Sequence, residues 1–192
     1  MASNKIVYQT LEDRGTDLDK LETEGPYPCR WENSWLGDGF YFWDTFISNA
    51  HWWGKEIRNY TKGYIICKAI CDYSDTNCFD LVGNTEHLEM FKNTYDLMKK
   101  EGLINEKTTV KRLIHYLKDD LKKFNYDAIR VYGIRSKNYN SRFNFTLNFE
   151  NEKPSYLDFN PAIQICFYRK NSLNLRNYKI VYPDEYIDGY LV

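Results

Sequence analysis

Residues 35–54 read WLGDGFYFWDTFISNAHWWG and hold four of the chain's five tryptophans, beside two glycines that bracket one aspartate. On a helix starting near Asp44, residues Phe46, Ala50, Trp53 and Ile57 share one stripe, which predicts Trp53 in the core. Trp52 lies off that stripe, with Asn49 on its side one turn back. An indole can stack on a flat ring while an amide pairs with that ring's polar substituent. Tyr41, on the strand before, can face the same space from the opposite wall. Gly37 and Gly39 permit a tight turn and a close backbone approach, and Asp38 is read as a turn residue. An aromatic core cluster with Trp52 half exposed accounts for the same residues without a ligand, and the spacing leaves both readings open.

The elements that must position these residues follow from periodicity. Ile6–Thr10 is an apolar run suited to a first strand. Residues 11–34 are polar, with Gly15, Gly25, Pro26 and Pro28, and read as a long loop with one helical turn at most. Phe40–Trp43 is a second strand, Asp44 a helix cap for a segment through Arg58, and Gly63–Cys71 a third strand. Leu88, Phe91, Tyr95 and Met98 step at helical intervals before Gly102, as do Val110, Leu113, Ile114, Leu117, Leu121 and Phe124. Strands are expected over 126–134, 142–149, 162–170 and 178–183. The pattern predicts one α+β domain spanning residues 1–192, with helices inserted between N-terminal and C-terminal strands.

Composition narrows the function classes. Lys and Arg (26) nearly cancel Asp and Glu (27), which argues against a protein held on nucleic acid by bulk charge. The opening MASNKIVYQT lacks a basic region followed by an apolar one, and no apolar run approaches a membrane span, so a cytoplasmic protein without membrane partners is expected. The five cysteines are odd in number and irregularly spaced, so they are read as reduced thiols. Cys67, Cys71, Cys78, His51 and His87 lack the paired spacing of a zinc site, and no metal is expected.

Gly37-Asp-Gly39-Phe-Tyr41-Phe42, a short turn, and a helix bearing Asn49-Ala50-His51-Trp52 resemble the second signature of ADP-ribosyltransferases of the poly-ADP-ribose-polymerase and diphtheria-toxin branch. The resemblance implies a split antiparallel β-sheet fold with NAD as co-substrate. On it, Tyr41 and Trp52 sandwich the nicotinamide, Asn49 bonds its carboxamide, and Gly39 and Phe42 complete the signature strand. The family's first motif, a strand ending His-Gly-(Ser/Thr), corresponds to Tyr8-Gln9-Thr10. Tyr8 then meets the nicotinamide ribose, Gln9 offers backbone contacts to the carboxamide, and Thr10 keeps the motif's hydroxyl. The third motif begins with a glutamate; Gln164-Ile-Cys-Phe-Tyr168 has its pattern with glutamine in that place.

The implied reaction breaks the nicotinamide–ribose bond through an oxocarbenium-like transition state. Gln164 keeps hydrogen bonding to the ribose but loses the charge and the base, so a further carboxylate is sought among Asp158, Glu152 and Glu185, of which Glu185 is preferred. The resemblance implies mono-ADP-ribosyl transfer to a macromolecule, protein or nucleic acid, by a toxin or antiphage effector with an antitoxin or immunity protein as possible partner. A catalytically silent NAD- or nucleotide-binding module on the same fold is the alternative. RNA 2′-phosphotransferases, a rival with NAD chemistry, use arginines and histidines not found in this sequence. Asp13, Arg14 and Gly25 fall where relatives bind adenosine or acceptor, and the basic run 169–179 and the lysines of 107–123 read equally as solvated faces or a phosphate-binding surface.

Overall fold

Alternating apolar residues build the central sheet, because successive side chains of a strand point to opposite faces. The computed structural model describes residues 3–32, 34–132, 141–143, 145–151, 153 and 155–187. Its strands are β1 (Ser3–Glu12), β2 (Phe40–Asp44), β3 (Tyr64–Tyr73), β4 (Cys78–Asp80), β5 (Ala128–Tyr132), β6 (Thr146–Asn148), β7 (Tyr156–Asp158), β8 (Ile163–Phe167) and β9 (Arg176–Tyr182). Seven form one sheet in the order β4-β5-β8-β2-β1-β3-β9, and β6 and β7 form a separate ribbon. Only β4 and β5 pair in parallel; the other pairs are antiparallel. The chain is thus a mixed α+β domain with a large, mostly antiparallel sheet and few helices.

One face of the sheet carries Val7, Phe42, Ile65, Cys67, Ala69, Ile165, Phe167 and Tyr178, closed over by Leu21 of α1 (Leu18–Glu24) and by Leu173. The other face divides in two. Phe79, Ile129, Val131 and Cys166 pack under Leu36 and under helices α3 (Thr85–Lys100) and α4 (Val110–His115), the latter continued by a π turn over Tyr116–Asp120. Trp43 and Ile66 pack under α2 (Ile47–Trp52), which runs into a second π turn over Trp53–Ile57.

The structure moves several expected boundaries. The first and third strands pair along ten residues each, well past Ile6–Thr10 and Gly63–Cys71, because each supplies the other's backbone partners. The polar segment 11–34 contains α1, capped by Asp17, whose carboxylate accepts from Lys20 N at 2.9 Å. Cys78–Asp80 and Tyr156–Asp158 are strands too short to show periodicity in the sequence. The expected strand 142–149 is confined to Thr146–Asn148. Residues 133–134 and 144 of the expected strands lie outside the described residues.

Asp44 does not cap α2. The helix starts after Phe46 with no side-chain cap, and Thr45 takes a left-handed φ of 64° to make the turn. Ion pairing competes better than capping for the buried Asp44 carboxylate. The register on α2 is also reversed from expectation: Trp52 is 1 % exposed and belongs to the core, whereas Trp53 is only partly buried. Phe46 is extended and lies outside the helix, so a wheel anchored on it misplaces the buried face, to which Asn49, Ala50 and Trp52 all belong.

Candidate functional site

Strands β8, β2 and β1 lie side by side, and their register aligns three residues from distant parts of the sequence. Tyr8 pairs with Trp43, and Trp43 pairs with Gln164. Directly paired residues share a face, so these side chains form one row across three strands. Lys68 of β3, paired with Tyr8, continues it. Trp43 is 2 % and Gln164 5 % exposed, while Tyr8 and Lys68 are half-buried. Ile6, two residues along the same face from Tyr8, is 40 % exposed, so the face opens toward solvent past the row.

Helix α2 roofs the closed side of the row. Trp52 meets Trp43 edge to face, with ring centres 5.7 Å apart, and Trp53 lies 5.7 Å from Trp43. Phe143 and Ala162 complete this cluster. Asn49, fully buried, donates from Nδ2 to the Pro161 carbonyl at 2.9 Å. Its Oδ1, and the indole Nε1 of Trp52 one turn on, have no hydrogen-bond partner among the described residues. A buried acceptor and a buried donor left unpaired on one helix are costly, each by about 1–3 kcal/mol, and mark a place where a ligand's polar groups would be welcome.

Gln164 is held from the other side. Its Oε1 accepts from Trp35 Nε1 at 3.1 Å, across 129 residues of sequence. Tyr41 lies two residues from Trp43 on the same face, and its hydroxyl donates to the Gly37 carbonyl at 2.7 Å while accepting from Leu36 N at 3.0 Å. Burial, next to Cys166, raises the Tyr41 pKa well above the ordinary tyrosine value, so the phenol stays neutral. Gly37, at φ +93°, makes the turn that brings this carbonyl round.

The remaining expected site residues divide plainly. Phe42 is fully buried on the opposite face, against Phe167 and Tyr178, so its side chain has no access to the row. Strand alternation puts it there as surely as it puts Tyr41 and Trp43 on the site face. Gln9 also points to that opposite face, donating to the Tyr27 carbonyl at 2.8 Å and accepting from Tyr27 N and Tyr178 Oη. The Thr10 hydroxyl donates to the Ala50 carbonyl at 2.9 Å and ties β1 to α2. Gly39 is a packing requirement, since a Cβ there would lie 2.5 Å from Cys166 Sγ and 2.7 Å from the Phe167 carbonyl.

The expected extra carboxylate is not delivered. Glu185 sits exposed in a 3-10 turn (Asp184–Tyr186) after β9, at the far edge of the sheet. Four strand spacings separate β9 from β8, about 19 Å at the usual spacing. Asp158 lies on the ribbon, where its Oδ1 accepts from Asn160 N at 2.8 Å, and Glu152 lies outside the described residues. In the long loop, Asp13 accepts from Gly15 N and from Tyr186 Oη, Arg14 pairs with Glu12, and Gly25 packs on the Tyr178 ring. In the basic run, Arg169, Arg176 and Lys179 are paired with Asp127, Asp72 and Glu22.

Sequence reading missed a buried ion cluster on the sheet's opposite face. Arg130 Nε donates to Asp44 Oδ2 at 2.6 Å, and its Nη1 donates to both Asp80 oxygens at 3.1 Å. Lys5 Nζ lies 3.6 Å from Asp44 Oδ2, the Tyr73 hydroxyl donates to Asp80 Oδ2 at 2.6 Å, and Thr45 Oγ1 donates to Asp44 Oδ1. Burial alone would raise the Asp80 pKa; the Tyr73 hydroxyl, Val82 N–H and Arg130 outweigh it, and the carboxyl titrates below the ordinary range. The Asp80 amide donates to His87 Nδ1 at 2.9 Å, which leaves the His87 proton on Nε2, facing Tyr126 Oη at 3.1 Å. Two carboxylates and two cations balance, every member is engaged, and the cluster reads as structure. Only the strand order, which puts β5 beside β4 and one strand away from β2, assembles it.

Two further features lie apart from the row. Lys118 stands over the Tyr168 ring, its Nζ 3.0 Å from the centre, and burial pushes its pKa down to about 8. A groove of about 350 Å³, lined in part by Glu86, Met90, Asn93, Leu97, Leu117 and Lys123, opens among the helices and contains none of the row's residues. Among the described residues no group of His, Cys, Asp and Glu is placed to hold a metal ion, and no helix is long and apolar enough to cross a membrane. The five cysteines are free thiols, all buried except Cys29.

The chain is similar to an uncharacterized protein of Methanocaldococcus jannaschii, 28 % identical over 193 residues that cover 94 % of this chain and 89 % of the relative. No protein-family model matches the chain, and no solved structure matches it significantly.

Proposed function

We propose that this chain binds NAD and transfers its ADP-ribose, in the manner of the ADP-ribosyltransferases its second motif resembles. The observation that carries the reading is the row Tyr8–Trp43–Gln164: the strands bearing the three motif-like segments are neighbours, and the first and third motifs meet on one face. The unpaired Asn49 Oδ1 and Trp52 Nε1 support it, because a carboxamide offers both a donor and an acceptor. In this reading Asn49 accepts from the carboxamide NH2 and Trp52 donates to its oxygen. Tyr8 meets the adjoining ribose. Trp35 holds Gln164 by its oxygen, which leaves the Gln164 NH2 to donate to a ribose hydroxyl.

The reaction asks the site to grip the nicotinamide and tolerate positive charge on the sugar as the bond breaks. Gln164 and the neutral Tyr41 offer polar contacts but no negative charge to offset that of the sugar. They supply no base, so the acceptor must be a nucleophile that needs little deprotonation, such as a nucleobase nitrogen. A mono-transfer toxin or antiphage effector with a neutralising partner protein is the biological role that the resemblance adds. Ring entry requires the packed Trp43, Trp52 and Phe143 to part, since Trp52 is 1 % exposed. That closure and the missing carboxylate favour the second reading, an NAD- or nucleotide-binding module without transfer.

The deciding experiment follows nicotinamide release from NAD labelled on its adenylate, with cell lysate pretreated by protease or by nuclease. Release that Tyr41→Ala and Trp52→Ala abolish, with label retained on a macromolecule, supports transfer. Calorimetric binding without release selects the module. Neither binding nor release refutes both.

A further inference from the structure

The ribbon formed by β6 and β7 is amphipathic, and its apolar side has no partner among the described residues. Its register pairs Leu147 with Leu157, and Phe159 N donates to the Phe145 carbonyl at 2.8 Å at one end while Phe149 N donates to Ser155 O at the other. Period-two alternation then puts Phe145, Leu147, Phe149, Leu157 and Phe159 on one side, with Thr146, Asn148, Tyr156 and Asp158 on the other. The five apolar residues are 48, 60, 68, 45 and 54 % exposed in that order. Single exposed apolar residues are ordinary, but a contiguous face of five on an isolated two-stranded ribbon is not.

We infer that this face is a homodimer interface, occupied by the same face of a second copy. Three physical points select that occupant. The face carries no charge, so a two-fold copy can lie on it with no ion to desolvate, and a self-complementary patch is what a two-fold pairing needs. Its exposed area amounts to about 500 Å² per copy, so a face-to-face pair buries about 1,000 Å², the lower bound of a specific interface. The segment 145–159 carries Glu150, Glu152, Lys153 and Asp158 and is net acidic, which disfavours phosphate-bearing surfaces such as nucleic acid or anionic lipid. An antiparallel two-fold arrangement puts the two tips, with their charges, at opposite ends. The ribbon's second strand leads through Phe159 to Pro161, whose carbonyl receives Asn49, so pairing also steadies the root of the segment that meets α2.

The test is sedimentation velocity of the full chain between about 1 and 200 µM. A concentration-dependent monomer–dimer equilibrium is expected, with a dissociation constant in the micromolar range, as suits an interface at the small end of the size classes. Leu147→Asp at the centre of the face should weaken the dimer by about 100-fold or more, with the thermal midpoint of wild type at concentrations where both are monomeric, because the ribbon stands outside the main sheet. Mixing Leu147→Asp with Leu147→Lys should restore a one-to-one dimer, a result that damaged folding cannot produce. A wild-type chain that stays monomeric throughout, a Leu147→Asp dimer as tight as wild type, or a wild-type monomer that instead binds anionic vesicles would each overturn the inference.

Discussion

Trp43 and Asp44 are neighbours on β2 and point to opposite faces of the sheet, and the two faces treat polar groups in opposite ways. On the Asp44 side, two buried carboxylates meet Arg130, Lys5, Tyr73 and Thr45, and each is engaged. On the Trp43 side, the roof of α2 leaves Asn49 Oδ1 and Trp52 Nε1 unpaired. A satisfied buried network stabilises and specifies a fold, while an unsatisfied one persists where something else is meant to complete it. The difference teaches that charge and burial do not by themselves identify a site: the buried cluster of Arg130, Lys5, Asp44 and Asp80 is a bolt of the fold, and the candidate site is nearly uncharged.

The largest break in this comparison should come from Arg130→Ala. It strands Asp44 and Asp80 as uncompensated buried charges and should cost about 3–5 kcal/mol in urea unfolding. Acid should act on the same bolt. The folded-state pKa of Asp80 lies below its unfolded value, so its contribution is complete above the unfolded value near 4 and is lost as pH falls through the folded one. Unfolding followed from pH 7 down to pH 2 should show that loss, and Asp80→Asn should flatten it while lowering stability at neutral pH.

On the other face the expected pattern reverses, with small effects on folding and large ones on ligand. Trp52→Phe keeps the ring packing and removes a donor without a protein partner, so stability should change by about 1 kcal/mol or less. NAD affinity by calorimetry should fall by about tenfold, the value of one hydrogen bond. An unchanged affinity would remove Trp52 from the ligand's contacts. The smallest stability effect belongs to Lys68→Met, within about 0.5 kcal/mol at a half-exposed position. If the row extends onto β3, this variant should raise the NAD concentration needed for half-saturation while leaving the thermal midpoint in place.

Much of the architecture was legible from period and composition. Short apolar runs marked β2, β3, β5, β8 and β9, and the three-to-four stripe marked α3, with Gly102 at φ +72° as its stop. The motif-like segments at Tyr8, Tyr41 and Gln164 stand out in the sequence, which carries no sign that their strands are adjacent. Trp43 was legible too in principle, since alternation from Tyr41 puts it on the same face. Two differences have a local cause: α2 begins only after the extended Phe46, and Asp44, a good cap by residue type, has stronger partners.

By itself the amino-acid sequence determined most of the central strands and the helices α3 and α4, and which residues lie on each side of a strand, because those follow from covalent geometry and local burial. It also determined the alternation of Phe145, Leu147 and Phe149, while their pairing with Leu157 and Phe159 belongs to the fold. Only the tertiary structure decided which strands are neighbours. That choice joins Tyr8, Trp43 and Gln164 in one row and sends Glu185 to the far edge, and it brings Arg130 onto Asp44 from 86 positions away. Strand pairing is a competition among long-range contacts for shared backbone partners and one core, so no local pattern encodes its outcome.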